Sequence, residues 1–395
     1  MFNNQSVSEL SPLMSNYNRF PVTLVKGKGS YVWDEMGRKF LDFTSGIATC
    51  NLGHVPESVK EKLEAQLSNI WHCSNLYNIP AQQELASELV KNSCGDQVFF
   101  CNSGAEANEA AIKLARRYSQ KINGSEAYEI VTFQQSFHGR TLATLSATGQ
   151  EKIQDGFLPL MPGFRYLPFN DVDSLNEIVS PKTCAVLLEL VQGEGGVIPA
   201  DKEWIISLAK ICKENNILLM VDEIQTGIGR TGTLFAYEQF GIEPDVISLA
   251  KGLGSGFPIG AIIAKGEVAK AFDPGSHGST FGGNPLAVTA GLATIQHILS
   301  TNLLDYVNEL AVFLNEELLK LKEKFPSILD IRGKGLLIGI VVQGKAMEIV
   351  QKAINHQVLI VTAGPDVVRI LPPLTTSKEE ILQLVNVLEL IFQDI

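Results

Sequence analysis

CAVLLELVQGEGGVIPADKEWIISLAKICKENNILLMVDE, residues 184–223, contains two apolar runs separated by one amphipathic segment. The runs at 184–191 and 217–221 are continuous and rich in Val, Leu and Ile, which predicts strands buried on both faces. Residues 202–215 carry apolar side chains at helical spacing and predict a helix. A strand, a helix and a second strand in this order form the repeating unit of a parallel sheet covered by helices.

The same alternation extends along the chain from about residue 97. Further apolar runs lie at 98–101, 130–133 and 246–250, and residues 106–118 predict another helix. The sequence therefore predicts an α/β fold whose central sheet is mostly parallel and covered by helices. In such a sheet, ligands bind beyond the carboxyl ends of the strands.

The two ends of the chain show a different pattern. Residues 24–43 predict short strands and 57–67 a helix, while a helical stretch to about 321 is followed by strands near 331–342 and 367–371 and a helix over 378–392. Because 395 residues exceed one ordinary core, we expect two domains. The large domain is predicted at 56–295, and a small α/β domain is built from 1–55 and 296–395.

Composition excludes several classes of function. The 32 Lys+Arg and 43 Asp+Glu give a net charge of −11, which disfavours nucleic acid as a partner. The longest apolar runs, 184–191 and 335–342, fall short of the ~18 residues that span a bilayer, and residues 1–10 show no signal peptide. Six cysteines without CxxC spacing indicate reduced thiols in a cytoplasmic protein, and no motif supports a metal site.

Polar residues follow the first predicted strand. Ser103 and Glu106 form a capping-box pattern, and the small residues Gly104 and Ala105 leave the backbone N–H groups of the helix start accessible. Such a helix start suits a phosphate. The alternative is a capped helix without a ligand.

The second and third strand ends carry further candidates. Phe137, His138 and Arg140 follow the strand at 130–133. Arg140 could hold a carboxylate, although a lone arginine is more often part of a surface ion pair. Phe137 and His138 could equally be ordinary structural residues. Glu189 lies near the end of an apolar strand, where a carboxylate needs a partner or a raised pKa.

The fourth and fifth strand ends carry Asp222 with Gln225, and Lys251 before a glycine-rich loop. A buried lysine is a candidate nucleophilic amine because desolvation lowers its pKa. The alternatives are a turn-capping aspartate and a surface lysine. Residues 227–232 fit GxGxxG, but five residues separate them from the strand, so a nicotinamide site is disfavoured.

Taken together, the five strand ends match the needs of pyridoxal 5'-phosphate (PLP). The phosphate requires a helix start, the ring a stacking aromatic, the ring nitrogen a carboxylate, the phenolic oxygen a donor, and the aldehyde a lysine. It would be an improbable coincidence if the candidate residues at all five strand ends had structural roles only.

Six longer motifs resemble the class III, fold type I aminotransferases, and most closely the acetylornithine aminotransferases among them. They are FFCNSGAEANEAAIKLAR, SFHGRT, ELVQGEGG, VDEIQTGIGRTG, AKGLGSGFPIGA and HGSTFGGNPLA. The resemblance implies that Lys251 bonds to the PLP aldehyde and moves the substrate proton. It also implies that Asp222 keeps the ring nitrogen protonated, that Gln225 contacts the phenolic oxygen, and that Phe137 stacks on the ring.

The resemblance also implies a homodimer with shared active sites. Ser103, Gly104 and Ala105 would bind the phosphate of the same subunit. Thr280 would reach the phosphate from the partner subunit, with Ser279 near the substrate.

For the substrates, the resemblance implies transfer of the δ-amino group of N-acetylornithine to 2-oxoglutarate, a step of arginine biosynthesis. Arg140 would hold the donor's carboxylate and Arg369 the α-carboxylate of 2-oxoglutarate or glutamate, while Glu189 would pair with Arg369 in one half-reaction. Ornithine, succinyldiaminopimelate, 4-aminobutyrate and lysine remain alternative donors. A PLP-dependent aminomutase and a non-catalytic protein of the same fold also remain open.

Three positions bear on this expectation. Leu190 replaces the proline usual in the family, and residues 53–56, GHVP, lack a second histidine near the active-site entrance. Ile47 stands where ornithine aminotransferases typically carry an aromatic residue, which favours the acetylated substrate.

Overall fold

The computed structural model describes residues 12–395, so the segment in which a signal peptide was sought lies outside the described residues. The helices in this range are α1 Ser45–Ala48, α2 Glu57–Leu67, α3 Pro80–Lys91, α4 Gly104–Arg117, α5 Leu142–Ala147, α6 Glu151–Gln154, α7 Lys202–Glu214, α8 Gly266–Ala269, α9 Pro285–Ser300, α10 Leu303–Lys324, α11 Ala346–Asn355 and α12 Lys378–Gln393. The strands are β1 Leu24–Lys28, β2 Tyr31–Asp34, β3 Lys39–Asp42, β4 Gln97–Cys101, β5 Glu129–Phe133, β6 Phe164–Leu167, β7 Thr183–Glu189, β8 Val191–Gln192, β9 Ile198–Pro199, β10 Leu218–Asp222, β11 Val246–Leu249, β12 Gly260–Ala264, β13 Ile328–Lys334, β14 Leu337–Val342, β15 Val358–Leu359, β16 Val361–Thr362 and β17 Val367–Ile370.

The central sheet has seven strands in the order β4-β12-β11-β10-β7-β5-β6. Neighbours from β11 to β6 run parallel, and only β12 runs antiparallel to the strands beside it. Every residue of β7 and β10 is buried, because helices cover both faces of a parallel sheet. The predicted α/β fold with a mostly parallel sheet is confirmed.

Helix α4 shows how a helix fits against this sheet. Its buried face consists largely of alanines, including Ala107, Ala110 and Ala111, which allow close approach to β11 and β12. Asn108 on the same face is fully buried and therefore needs hydrogen-bond partners, which it finds at the carboxyl edge of the sheet.

Both chain ends contribute to the smaller sheets. The sheet β1-β2-β3-β15 joins the beginning of the chain to its end, with Val358 paired to Leu41, and the sheet β13-β14-β17-β16 contains Arg369 in β17. The predicted domain boundary at residue 295 falls inside α9, so the chain passes from one region to the next along a continuous helix. The division into two domains stays a prediction.

Arg230 connects distant parts of the fold. Its guanidinium is fully buried and donates to the backbone oxygens of Leu336 and Pro372 and to the side-chain oxygen of Asn51. Arg230 belongs to the GxGxxG stretch, whose glycines therefore surround a structural arginine.

None of the helices in the described part of the chain is both long and apolar enough to cross a membrane.

Candidate active site

A cavity of about 370 Å³ opens at the carboxyl ends of the central strands. This volume lies in the range of small-molecule sites. The structure brings nine of the predicted residues to its wall: Ser103, Gly104, Ala105, Phe137, Arg140, Glu189, Asp222, Gln225 and Lys251. Ser279, Thr280 and Arg369 are not among the lining residues.

The start of α4 forms one end of this cavity. The Ser103 hydroxyl accepts the Glu106 N–H at 3.2 Å, while the Glu106 carboxylate reaches past the cap to the Asn102 N–H at 2.6 Å. The N–H groups of Gly104 and Ala105 have no acceptor within the helix, as at every helix start. Asn102 also donates from Nδ2 to the Ser279 hydroxyl at 3.1 Å, which places Ser279 beside this helix start.

Asp222 is held at the end of β10 by three donors. Its Oδ2 accepts Asn108 Nδ2 at 2.7 Å and contacts His138 Nδ1 at 2.8 Å, and its Oδ1 accepts the Ile224 N–H at 3.0 Å. The carboxylate is 4 % exposed, so its orientation is fixed within the protein. Sequence reasoning left the role of His138 open and missed Asn108, whose signal was an amide among the alanines of α4.

Lys251 follows β11 with a φ of +43°, in the left-handed region that a side chain rarely adopts. Burial lowers the pKa of its amine, an effect that the nearby Glu194 carboxylate opposes. The amine forms no hydrogen bond or ion pair with any residue in the described range, which leaves it free to react in the cavity.

Arg369 has a different partner from the one predicted. Its Nη1 contacts the Glu194 carboxylate at 2.6 Å and donates to the Gly193 oxygen at 2.9 Å and to Gln225 Oε1 at 3.3 Å. Although burial acts to raise it, Arg369 lowers the pKa of Glu194 below its usual value. In this structure Arg369 is thus paired with Glu194 and not with Glu189, and the pairing of Glu189 with Arg369 in one half-reaction stays a prediction.

The reason lies in where each carboxylate is attached. Glu189 ends β7, and both of its oxygens accept backbone N–H groups, from Phe137 at 2.9 Å and Gly193 at 3.2 Å. Glu194 lies in the loop beyond the strand and can turn toward β17. The sequence signal was the second glutamate of ELVQGEGG, to which sequence reasoning gave no role.

The mouth of the cavity carries an arginine without a partner. Arg140 is exposed and forms no ion pair with any described residue, and its guanidinium carbon lies 5.6 Å from the centre of the Phe137 ring. A planar cation at this position is available for a carboxylate that enters from solvent.

Comparisons with known proteins agree with this geometry. Residues 13–392 match the family described as "Aminotransferase class-III". The chain belongs to the class III aminotransferases. This aminotransferase is 60% identical over 371 residues to the acetylornithine aminotransferase of Oceanobacillus iheyensis, covering 94% of this chain and 93% of that one.

Solved structures give the same family. The N-acetylornithine aminotransferase of Stenotrophomonas maltophilia matches with a TM-score of 0.84 and 36% identity, covering 96% of this chain and 98% of that one. An ornithine aminotransferase from Toxoplasma gondii matches with a TM-score of 0.92 and 30% identity, covering 97% and 92%, and its structure is described as having PLP at partial occupancy in the active site.

The chemistry of the cavity fits PLP, on which the aminotransferase depends. A helix start with free N–H groups, a fixed carboxylate and an unpartnered amine line one cavity, which are the groups that a phosphate, a ring nitrogen and an aldehyde require. Ser103, Gly104 and Ala105 would hold the phosphate, Asp222 the ring nitrogen, and Lys251 the aldehyde.

Proposed function

We propose that this aminotransferase transfers the δ-amino group of N-acetylornithine to 2-oxoglutarate, giving N-acetylglutamate 5-semialdehyde and glutamate. The proposal is supported by relatives named for acetylornithine, which share up to 60% of their residues with nearly the whole chain. Arginine biosynthesis is the pathway to which such a reaction belongs, and a cytoplasmic location is part of the proposal.

The observation that carries the proposal is the contrast between two arginines. Arg369 is buried and neutralised by Glu194, whereas Arg140 is exposed and forms no ion pair within residues 12–395. A δ-amine donor carries its carboxylate far from the reacting amine, which suits Arg140. Glutamate carries a carboxylate next to its amine, which suits Arg369 once Glu194 has turned away.

Bound PLP supplies an electron-withdrawing ring that stabilises negative charge at the carbon bearing the amine. Lys251 moves a proton to and from that carbon, because its lowered pKa makes the neutral amine accessible. Asp222 holds a proton at the ring nitrogen, with its carboxylate oriented by Asn108 and His138. Phe137 would pack on the ring and Gln225 would contact the phenolic oxygen, since both residues line the cavity.

We also propose a homodimer with shared sites, in which Thr280 reaches the partner's phosphate and Ser279 lies near the substrate. Support comes from an exposed apolar surface formed by Trp71, Leu76, Tyr77 and Phe281, which are 60% to 89% exposed. Asn75 connects the two chain segments that form this surface, because its side-chain amide donates to the backbone oxygens of Ser279 and Gly282. Apolar patches of this kind mark interfaces between proteins.

A panel of amine donors tests the proposal. The purified enzyme with PLP and 2-oxoglutarate is given acetylornithine, ornithine, succinyldiaminopimelate, 4-aminobutyrate or lysine, and glutamate is measured. Acetylornithine is expected to react fastest, and Lys251→Ala, the control, to form no glutamate. Faster turnover of ornithine would overturn the choice of donor, in line with the TM-score of 0.92 to an ornithine enzyme. Absence of glutamate would instead favour an aminomutase. Light scattering of the same preparation tests the homodimer.

A further inference from the structure

Two buried carboxyl groups stand side by side at the carboxyl ends of two neighbouring interior strands of the central sheet. Asp222 of β10 is paired in parallel register with Glu189 of β7, so both side chains project from the same face. They are 4 % and 6 % exposed. Asp222 contacts two side chains, Asn108 and His138, whereas among the described residues Glu189 accepts hydrogen bonds from backbone N–H groups alone.

One oxygen of Glu189 fixes an aromatic wall of the cavity. Its Oε1 accepts the N–H of Phe137 at 2.9 Å, in the loop that follows β5. The Phe137 side chain lines the cavity, and its backbone position decides where the ring stands. Loss of this acceptor would leave a buried donor unpaired and allow the loop to move.

The other oxygen fixes the loop that carries Glu194. Glu189 Oε2 accepts the N–H of Gly193 at 3.2 Å, and the oxygen of Gly193 accepts Arg369 Nη1 at 2.9 Å. The loop lies so close to its neighbours that a Cβ added at Gly193 would stand 2.1 Å from Gln225 Oε1. The backbone position of Gly193 therefore decides whether the side chain of the next residue, Glu194, can form its ion pair with Arg369.

We propose that Glu189 is a positioning residue that holds the Phe137 loop and the Glu194 loop at a fixed separation. Through one loop it sets the wall against which the cofactor packs, and through the other it sets how fully Arg369 is neutralised. The assignment rests on the proposed function only for the choice of amine donor.

The surroundings of Glu189 oppose rotation of its carboxyl group toward Arg369. Both of its oxygens already have donors, so rotation toward Arg369 would leave the buried Gly193 N–H and the half-buried Phe137 N–H without acceptors. Burial raises the pKa of Glu189 to about 7, with the Asp222 carboxylate adding to the effect and His138 opposing it.

Three variants test the assignment. Glu189→Gln keeps the length of the side chain but can accept only one of the two N–H groups, and Glu189→Asp keeps the carboxylate but is one carbon shorter. The control is Glu223→Gln. Glu223 is also a fully buried glutamate with a pKa raised to about 7, but it bonds to Thr226 and to the Tyr237 N–H and does not line the cavity.

Both Glu189 variants are expected to bind PLP about tenfold more weakly, as loss of one hydrogen bond to a charged group predicts. The visible circular dichroism of the bound cofactor should change, because the Phe137 wall has moved. In single-turnover measurements the acetylornithine half-reaction should slow more than the glutamate half-reaction, since Arg369 is then less fully neutralised. Glu223→Gln should leave all three readouts as in the wild type.

Three outcomes would overturn the assignment. The first is equal slowing of the two half-reactions. The second is unchanged circular dichroism together with wild-type PLP affinity. The third is wild-type behaviour of Glu189→Asp in all three measurements, and each of these would show that the positions of the two loops do not depend on the length of the Glu189 side chain. If the wild-type enzyme does not use acetylornithine, the proposed function fails, but the PLP affinity and dichroism still decide the role of Glu189.

Discussion

At the scale of single residues, identical carboxyl groups in and near the site have different pKa values because their surroundings differ. Glu189, Glu194 and Glu223 are all glutamates near the ends of strands. Glu194 has an arginine partner and a lowered pKa, whereas burial raises the pKa of the other two, which have no arginine or lysine partner among the described residues, to about 7. Sequence reasoning recognised that Glu189 needed a partner but could not tell which donors would be near. One donor, the Phe137 N–H, lies 52 residues away in the chain, and the other, the Gly193 N–H, comes within reach only through the turn that follows β7.

Glu223 gives a prediction about pH. Burial raises its pKa from 4.5 to about 7, so between these values the folded protein keeps a proton that the unfolded chain has lost. Its contribution to stability is therefore full below about pH 4.5 and declines until about pH 7. The difference in unfolding free energy between the wild type and Glu223→Gln should fall by roughly 1.4 kcal/mol per pH unit across this interval.

Urea unfolding of both proteins at several pH values between 5 and 8 measures this difference. The comparison cancels the titration of Glu189, which both proteins share. A difference that stays constant with pH would mean that Glu223 is already ionised in the folded protein at pH 5.

At the scale of secondary structure, the continuous apolar runs predicted the strands of the central sheet well. The prediction for α2 agrees residue for residue, and that for α7 differs by one residue at its end. Two strands of this sheet were missed, β6 and β12. The sequence of β6, FRYL, is short and half polar, and GAIIA of β12 follows a glycine-rich loop whose composition resembles a turn. Both are recognisable only from the strands that pair with them.

The start of α4 gives a prediction at this scale, because the same cap occurs twice in the described chain. Ser103 and Ser377 each accept, at 3.2 Å, the N–H of a glutamate three residues later. Replacement by alanine should cost about 1 kcal/mol of stability in either case. Only Ser103→Ala should also weaken PLP binding, since α12 lies outside the cavity.

Thermal unfolding and a PLP titration of the two variants separate the cap from the ligand contact. Similar stability losses with unequal PLP affinities are the expected result. Equal PLP affinities would show that the Ser103 hydroxyl serves α4 alone.

At the scale of the whole molecule, both chain ends meet the central region around Arg230. This arrangement could not be foreseen from the GxGxxG pattern, since its partners lie about 100 to 180 residues away in the chain. The family resemblance implied the site residues, but it did not indicate that Arg369 would contact Glu194 in this structure. A match of motifs gives the residues present and not the rotamers that they adopt.

Arg230 gives a prediction for the fold as a whole. In Arg230→Met, the oxygens of Leu336, Pro372 and Asn51 lose their buried donor. Stability should fall by roughly 3 kcal/mol or more, because each unpaired buried group costs about 1–3 kcal/mol. The matched control is Lys320→Met, whose exposed ion pair with Glu317 should be worth less than about 1 kcal/mol.

Urea unfolding of both variants against the wild type measures the two costs. A loss for Arg230→Met no larger than that for Lys320→Met would mean that water replaces the lost donor. The contacts of Arg230 would then not hold the segments together.

The backbone of Lys251 bears on attempts to improve the protein. A side chain at φ +43° costs roughly 1 kcal/mol or more, and glycine would adopt the same conformation without that penalty. Directed evolution that selects for heat resistance alone would thus favour loss of the lysine on which catalysis depends. Screens for heat-resistant variants of this enzyme should therefore also measure activity, so that the selected substitutions raise thermal stability at positions other than Lys251.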